Sequence, residues 1–183
     1  MAMSIIDKIY AEHQALEHYL TENAQPSFGQ AVADDFRKLL ALSVASFFEH
    51  TLTEAILNFC TVKAAGDPGL VCFVRMKAVE RQYSTYFQWD QKTPNSFCSL
   101  FGEPLGASMK NDVKNKPELK AACAAFLELG ALRNRLVHQN FASFPFEKTA
   151  EEVYEEYKSG SKFVDYIVAR LGEASERTDP SVS

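Results

Sequence analysis

The segment of the chain with the most evident chemical potential is residues 133–138, Arg-Asn-Arg-Leu-Val-His, in which Arg133 precedes His138 by five positions. A guanidinium can hold two phosphate oxygens with parallel hydrogen bonds and offset the negative charge of a transition state. An imidazole titrates near neutral pH and can accept or donate a proton. Together these groups suit RNA cleavage by the RNA's own 2'-hydroxyl, a reaction that requires no metal.

The helix predicted to contain this segment restricts how its side chains can meet. Asn134 and His138 are four residues apart and share one helix face, so the amide can orient the imidazole. Arg133 and His138 point about 140° away from each other at 100° per residue. A straight helix therefore cannot direct both at one phosphate. Either the helix is distorted near His138, or two copies of the chain line one cleft.

The motif resembles the signature of the HEPN superfamily, an arginine followed by a polar residue and, a few positions later, a histidine. It is also similar to the RiboL-PSP-HEPN and MAE-type branches, whose motif is close to R-N-x-L-V-H. The resemblance implies an all-α bundle and a metal-independent endoribonuclease that leaves a 2',3'-cyclic phosphate. It further implies a homodimer with a composite site and a role as a toxin or as an effector of defence or stress. An inhibitor (antitoxin) protein would then be a candidate partner.

On this resemblance, the catalytic residues are Arg133, Asn134 and His138. His138 is expected to act as general acid or base, Arg133 to hold the phosphate and Asn134 to orient its partners. Glu49 interrupts a very apolar helix, and a charge there is costly unless it is paired. We expect Glu49 to pair with Arg133 or another motif arginine, with Ser46 one turn away on the same side. The alternative for Glu49 is an exposed strip on a buried helix.

The basic residues near the motif are candidates for RNA binding, with solvated charge as the alternative. Arg135 is too close to His138 to be expected in catalysis, and either binds phosphate or is solvated. The densest basic stretch of the chain comes before the motif helix and is expected either to steer an RNA backbone or to form a solvated face. It consists of Lys110, Lys114, Lys116 and Lys120.

The remaining candidate groups favour structural roles, and neither a cofactor nor a metal is predicted. The sequence contains no phosphate-binding glycine loop, nucleophile elbow or zinc ribbon. His13 and His18 are expected on a solvated helix face. The four cysteines have no C-x-x-C spacing and are expected as buried thiols. Tyr83, Tyr86, Phe87 and Trp89 are expected to belong to the core.

The composition restricts the class of protein. With 183 residues, 46% of them hydrophobic, the chain can form one domain, predicted over residues 1–174 with a flexible tail at 175–183. A net charge of −5 requires a nuclease to have a local basic patch. The acidic charge also favours the main alternative, a non-catalytic HEPN-like module that binds a nucleotide or a protein. A plain helical scaffold is the third reading.

Helical periodicity dominates, so the predicted fold is an all-α bundle of about five to six helices. A long, largely apolar second helix is expected at its centre. An irregular insertion over residues 93–116 precedes the motif helix. No signal peptide and no membrane-spanning segment are predicted, which favours the cytosol. The predicted helices cover about residues 4–20, 28–63, 70–89, 119–138 and 149–171.

Overall fold

Helices form all the regular secondary structure of the computed structural model, which describes residues 3–176. No strand occurs in this range, so the all-α prediction is confirmed. The described chain contains a π-helical turn at Arg75–Val79, a 3-10 turn at Phe141–Ser143 and eight α-helices. The α-helices are α1 (Ile5–Glu22), α2 (Pro26–Lys63), α3 (Pro68–Val74), α4 (Tyr83–Tyr86), α5 (Asn95–Ser99), α6 (Leu105–Asn115), α7 (Pro117–His138) and α8 (Ala150–Glu176).

The core lies where α2, α7 and α8 pack against one another. Each contributes a fully buried phenylalanine, and the ring of Phe126 lies 5.6 Å from that of Phe48 and 5.2 Å from that of Phe163. Gly160 permits this close approach, because a Cβ there would lie 3.2 Å from the Phe48 ring. α8 begins with a capping box between Thr149 and Glu152.

Helix α2 is central, as expected, and its composition has a second consequence. By length and composition alone α2 is apolar enough to cross a membrane, although no membrane-spanning segment was predicted from the sequence. In the fold its side chains Leu40, Val44 and Leu52 are fully buried against the other helices. A core helix of a bundle meets the same criteria of length and apolarity.

The single helix predicted over residues 70–89 is wrong. α3 ends at Val74, the π-helical turn follows, and the chain then turns at Arg81, whose φ is +62°. α3 buries none of its residues, so no packing face extends it. The turn lets the hydroxyl of Tyr86 donate to the Ala78 carbonyl at 2.6 Å and places Tyr83 in the core.

The insertion before the motif helix contains short helices, as expected, but it is part of the core. Phe97 and Cys98 of α5 and Met109 of α6 are fully buried. α6 lies directly on α5, because a Cβ on Gly106 would be 2.2 Å from the Cys98 carbonyl oxygen. The insertion therefore supports one end of α7 instead of forming a separate appendage.

The expectation that His13 lies on a solvated face is wrong, whereas His18 is exposed as expected. His13 is 5% exposed, and its ring stacks on Phe36 of α2 with centroids 3.5 Å apart. Ile6 and His13 are seven residues apart and lie on one face of α1, and this face packs against α2. The imidazole is therefore part of the contact between the two helices.

The cysteines divide into buried and accessible thiols. Cys98 and Cys123 are buried, and burial raises the pKa of these thiols to about 11 and about 12. Cys72 is exposed, contrary to expectation, because α3 has no buried face. The predicted flexible tail lies outside the described residues, except for Ser175 and Glu176, which complete α8.

Candidate functional site

The motif residues occupy the last two turns of α7. This helix starts with Pro117 in its first turn, where the missing amide proton costs nothing. Leu129, Leu132 and Leu136 bury one face of these turns in the core. α7 stays α-helical through His138, so the distortion considered from the sequence does not occur.

Three motif residues share one cleft, which we call the motif cleft. Asn134, Arg135 and His138 lie along its α7 side. The opposite walls are formed by the loop at residues 87–92, by Lys148 and by α8, and the cleft has a volume of about 1230 Å³. His138 is exposed there, so its imidazole is accessible to a ligand.

Arg133 lies on the neighbouring stripe of α7 and does not line the motif cleft. Its Nη1 donates to the Asn134 Oδ1 at 3.1 Å. Its Nη2 lies 3.8 Å from the Glu49 Oε2, so the expected ion pair between Glu49 and a motif arginine is present. Both side chains are about a third exposed, at 31% for Arg133 and 38% for Glu49. Ser46 is exposed on α2, one turn before Glu49.

Two aromatic residues, Tyr83 and Trp89, lie next to Arg133 and Asn134. The phenol of Tyr83 is buried, and its pKa is raised by burial and then by Glu49, while Arg133 opposes the rise. The Trp89 ring packs on Gly130 of α7, where a Cβ would lie 1.9 Å from the ring. Its indole nitrogen donates to the Ser84 carbonyl at 2.9 Å. Core packing, as predicted for these aromatics, thus also fixes the wall of the motif cleft.

The motif cleft contains charges of both signs. Arg135 and Lys148 each lie 3.7 Å from the Glu128 Oε1, and Lys148 also pairs with Glu156. Asp90 adds a further carboxylate to the wall. A phosphate that enters the cleft must therefore compete with carboxylates for Arg135 and Lys148.

The predicted lysines separate into two groups. Lys110, Lys114 and Lys120 line a second hollow of about 550 Å³, here called the lysine depression, together with Lys92. Lys116 instead pairs with Asp112 at 2.8 Å and lies over the Tyr166 ring. The Lys116 pair, with a hydrogen bond from Tyr166, lowers the pKa of Asp112.

Sequence reasoning missed five charged residues of the motif cleft, which are Asp90, Lys92, Glu128, Lys148 and Glu156. Lys92 and Lys148 lie in loops outside α7, so no helical spacing relates them to the motif. Glu128 does have a detectable signal, because it lies seven residues before Arg135 and therefore on nearly the same side of the helix. Among residues 3–176, no three His, Cys, Asp or Glu side chains are grouped to hold a metal ion.

An all-α bundle with an Arg-Asn pair and a histidine at the end of a late helix defines a HEPN-type domain. The model of the RiboL-PSP-HEPN family matches residues 7–173, and the chain belongs to this family. No curated protein and no solved structure gives a significant match. HEPN domains act as nucleases or as nucleotide-binding modules, and they generally bind RNA and often dimerise.

Proposed function

We propose that the protein is a metal-independent endoribonuclease. The 2'-hydroxyl oxygen of the RNA bonds to the adjacent phosphorus, the bond from phosphorus to the 5'-oxygen breaks, and a 2',3'-cyclic phosphate remains. The observation that carries the proposal is that Asn134 lines the motif cleft beside His138 and accepts a hydrogen bond from Arg133. Membership of the HEPN family supports the same activity.

Each residue of the motif has a role that follows from its chemistry. His138 takes the proton from the 2'-hydroxyl or gives one to the departing 5'-oxygen. Arg133 holds the non-bridging phosphate oxygens and offsets their growing charge. Asn134 holds the guanidinium of Arg133 in place, and Glu49 does so from the other side. Arg135 binds a phosphate next to the one that is cut.

The straight course of α7 supports a composite site formed by two copies of the chain. Arg133 and His138 lie on different stripes of the same helix, so a second subunit is the remaining way to bring both to one phosphate. Val137 is 52% exposed one turn after Arg133, and Leu39 is 54% exposed on the face of α2 that carries Ser46. We place the homodimer contact on these apolar side chains.

A cellular role as a toxin or as a defence or stress effector in the cytosol belongs to the same proposal, as does an inhibitor (antitoxin) protein. The support for it is the family membership. A nuclease that cuts RNA without a metal cofactor would need an inhibitor inside a cell to protect the cell's own RNA.

One observation favours the alternative, a non-catalytic module that binds a nucleotide or a protein. Glu128, Glu156 and Asp90 line the same cleft as His138, and two of them already pair with its cations. Carboxylates repel a polyanion, whereas they would accept amine or amide donors from other ligands. Binding without cleavage is the result that would support this alternative.

The direct test incubates purified protein with mixed RNA in excess EDTA. We expect the wild type to cleave, and His138→Ala to lower kcat by about 10²–10⁴-fold through loss of proton transfer. Arg133→Ala should lower it by about 10²–10³-fold through loss of charge stabilisation. His18→Ala and Arg75→Ala, both at exposed sites away from the motif cleft, are the matched controls. Loss of cleavage in EDTA, or full activity in both motif variants, would contradict the proposal.

A further inference from the structure

Lys92 connects the two hollows of this surface, because it lines both the motif cleft and the lysine depression. From this continuity we propose that a single strand of RNA runs from the motif cleft past Lys92 into the lysine depression. The inference rests on the proposed ribonuclease function and specifies its substrate. The substrate class is a single strand of several nucleotides, in contrast to a mononucleotide or a duplex.

The charges of the lysine depression suit a phosphodiester backbone. Lys92, Lys114 and Lys120 are exposed, and none of their side chains makes an ion pair or hydrogen bond with the described residues. Their ammonium groups are therefore available to phosphates without breaking an existing contact. Glu103 is the one carboxylate among the lining residues, and the amide side chains of Asn95 and Asn111 add hydrogen-bonding groups.

The lysine depression differs in this respect from the motif cleft. Within the motif cleft, Arg135 and Lys148 share the carboxylate of Glu128. Binding energy available in the lysine depression can therefore bring a strand into a cleft in which Arg135 and Lys148 are already paired. A strand too short to reach Lys114 and Lys120 gains none of that energy.

The length of α7 gives an estimate of how many nucleotides this path can hold. Lys120 and His138 lie in the same helix eighteen positions apart, which corresponds to about 27 Å along the axis at 1.5 Å per residue. At roughly 3.4 Å per phosphate for a stacked strand, that distance is about eight nucleotides. Affinity should therefore rise with the length of the RNA up to about this value and then level off.

The reaction geometry and the cleft wall both favour a single strand. Attack by the 2'-oxygen requires it to lie in line with the phosphorus and the departing 5'-oxygen, and a regular A-form helix does not provide this alignment. Trp89 is half-buried in the wall of the motif cleft, which places an aromatic side chain within reach of a displaced base. Duplex RNA has its bases paired and cannot use this contact.

The test measures binding by fluorescence anisotropy with 2'-O-methyl RNA of 3 to about 16 nucleotides, a range that covers typical single-strand site sizes. Because this RNA has no free 2'-hydroxyl, the result does not depend on cleavage. The variant Lys92→Ala/Lys114→Ala/Lys120→Ala removes the unpaired lysines. The control Lys8→Ala/Lys77→Ala/Lys162→Ala changes the net charge equally, and its residues are exposed and line neither hollow.

We expect the wild type to bind RNA of about eight nucleotides on the order of tenfold more tightly than trinucleotides. The triple variant should lose this gain, and its slope of log affinity against log salt should become shallower by about 2 for three lost phosphate contacts. The control should keep both. Affinity that does not change with length, equal losses in the two triple variants, or equally tight binding of a duplex would overturn the inference. Absence of RNA cleavage by the wild type would contradict the ribonuclease proposal alone.

Discussion

Asn134 joins the stripe of α7 that carries Arg133 to the stripe that carries His138. Its side chain lines the motif cleft together with His138, and its Oδ1 accepts the hydrogen bond from Arg133 at 3.1 Å. Glu49 holds the other end of the guanidinium, so Arg133 is held from two helices. A planar guanidinium has five N–H donors and can make both contacts while keeping a pair of donors for a phosphate, whereas a lysine ammonium has only three donors in all.

Glu128 is the residue whose charge most directly opposes RNA in the motif cleft. We expect Glu128→Gln to bind single-stranded RNA up to about fivefold more tightly, because it frees Arg135 from an exposed ion pair worth at most about 1 kcal/mol and leaves Lys148 paired with Glu156 alone. Anisotropy at fixed salt measures the change. Glu54→Gln is the control, since Glu54 is exposed on α2 outside the cleft. Unchanged or weaker binding by the Glu128 variant would show that this carboxylate does not oppose RNA.

Residue spacing was sufficient to identify the motif and the partner of Arg133. The cost of an unpaired charge in an apolar helix predicted a partner for Glu49, and Arg133 is that partner. Lys92 and Lys148 could not be found in this way, because they come from loops brought to α7 by tertiary packing. Likewise, the position of Lys116 in the sequence could not show that it contacts Asp112 and Tyr166 instead of lining the lysine depression.

Among the secondary structure elements, the long helices were predictable and the connections between them less so. α1, α2, α7 and α8 each bury a periodic face, and their bounds follow the sequence pattern to within a few residues. The predicted helix at residues 70–89 failed because α3 has no buried face to maintain it. Helical propensity alone gives marginal stability without such packing.

The contact between Trp89 and α7 depends on the absence of a side chain at position 130. Gly130→Ala should lower the free energy of unfolding by about 1–3 kcal/mol, because its Cβ would lie 1.9 Å from the Trp89 ring. Urea denaturation measures the loss. Gly172→Ala is the control, since nothing lies within 4 Å of a Cβ there and α8 should gain about 0.5–1 kcal/mol. Equal stability of the two variants would contradict the packing described for Trp89.

The buried imidazole between α1 and α2 makes the stability depend on pH. Burial lowers the pKa of His13 below its usual 6.5, against the opposing effect of Glu17. The unfolded chain therefore binds more protons, and stability falls as the pH drops through 6.5 until it reaches the folded pKa. We expect His13→Phe, which keeps the stacking on Phe36, to reduce this loss in urea unfolding between pH 7.5 and 5.5.

His18→Gln is the control for this prediction because His18 is exposed, and it should keep the wild-type dependence. The same pH slope in His13→Phe and in the wild type would exclude His13 as the cause. The carboxylates of Asp7 and Asp112 do not interfere, because their lowered pKa values place their effect below pH 3.8.

At the scale of the whole molecule, the charge distribution agrees with a protein that binds RNA at one place. The net charge is −5, yet four lysines gather in one depression beside the motif cleft. The sequence predicted that a nuclease of this composition needs a local basic patch, and only the fold could show which lysines form it. The straight course of α7 is the reason to propose that a second subunit completes the site, and the composition gives no indication of one.

Mixing two inactive variants is the most direct test of a site shared between subunits. Arg133→Ala and His138→Ala proteins are combined, allowed to exchange subunits, and assayed on RNA in EDTA. In a heterodimer one of the two symmetric sites contains an intact Arg133 from one subunit and an intact His138 from the other, so activity should recover to about a quarter of the wild-type rate. Each variant alone should stay inactive. A mixture in which exchange is demonstrated and which remains as inactive as its components would contradict the composite site.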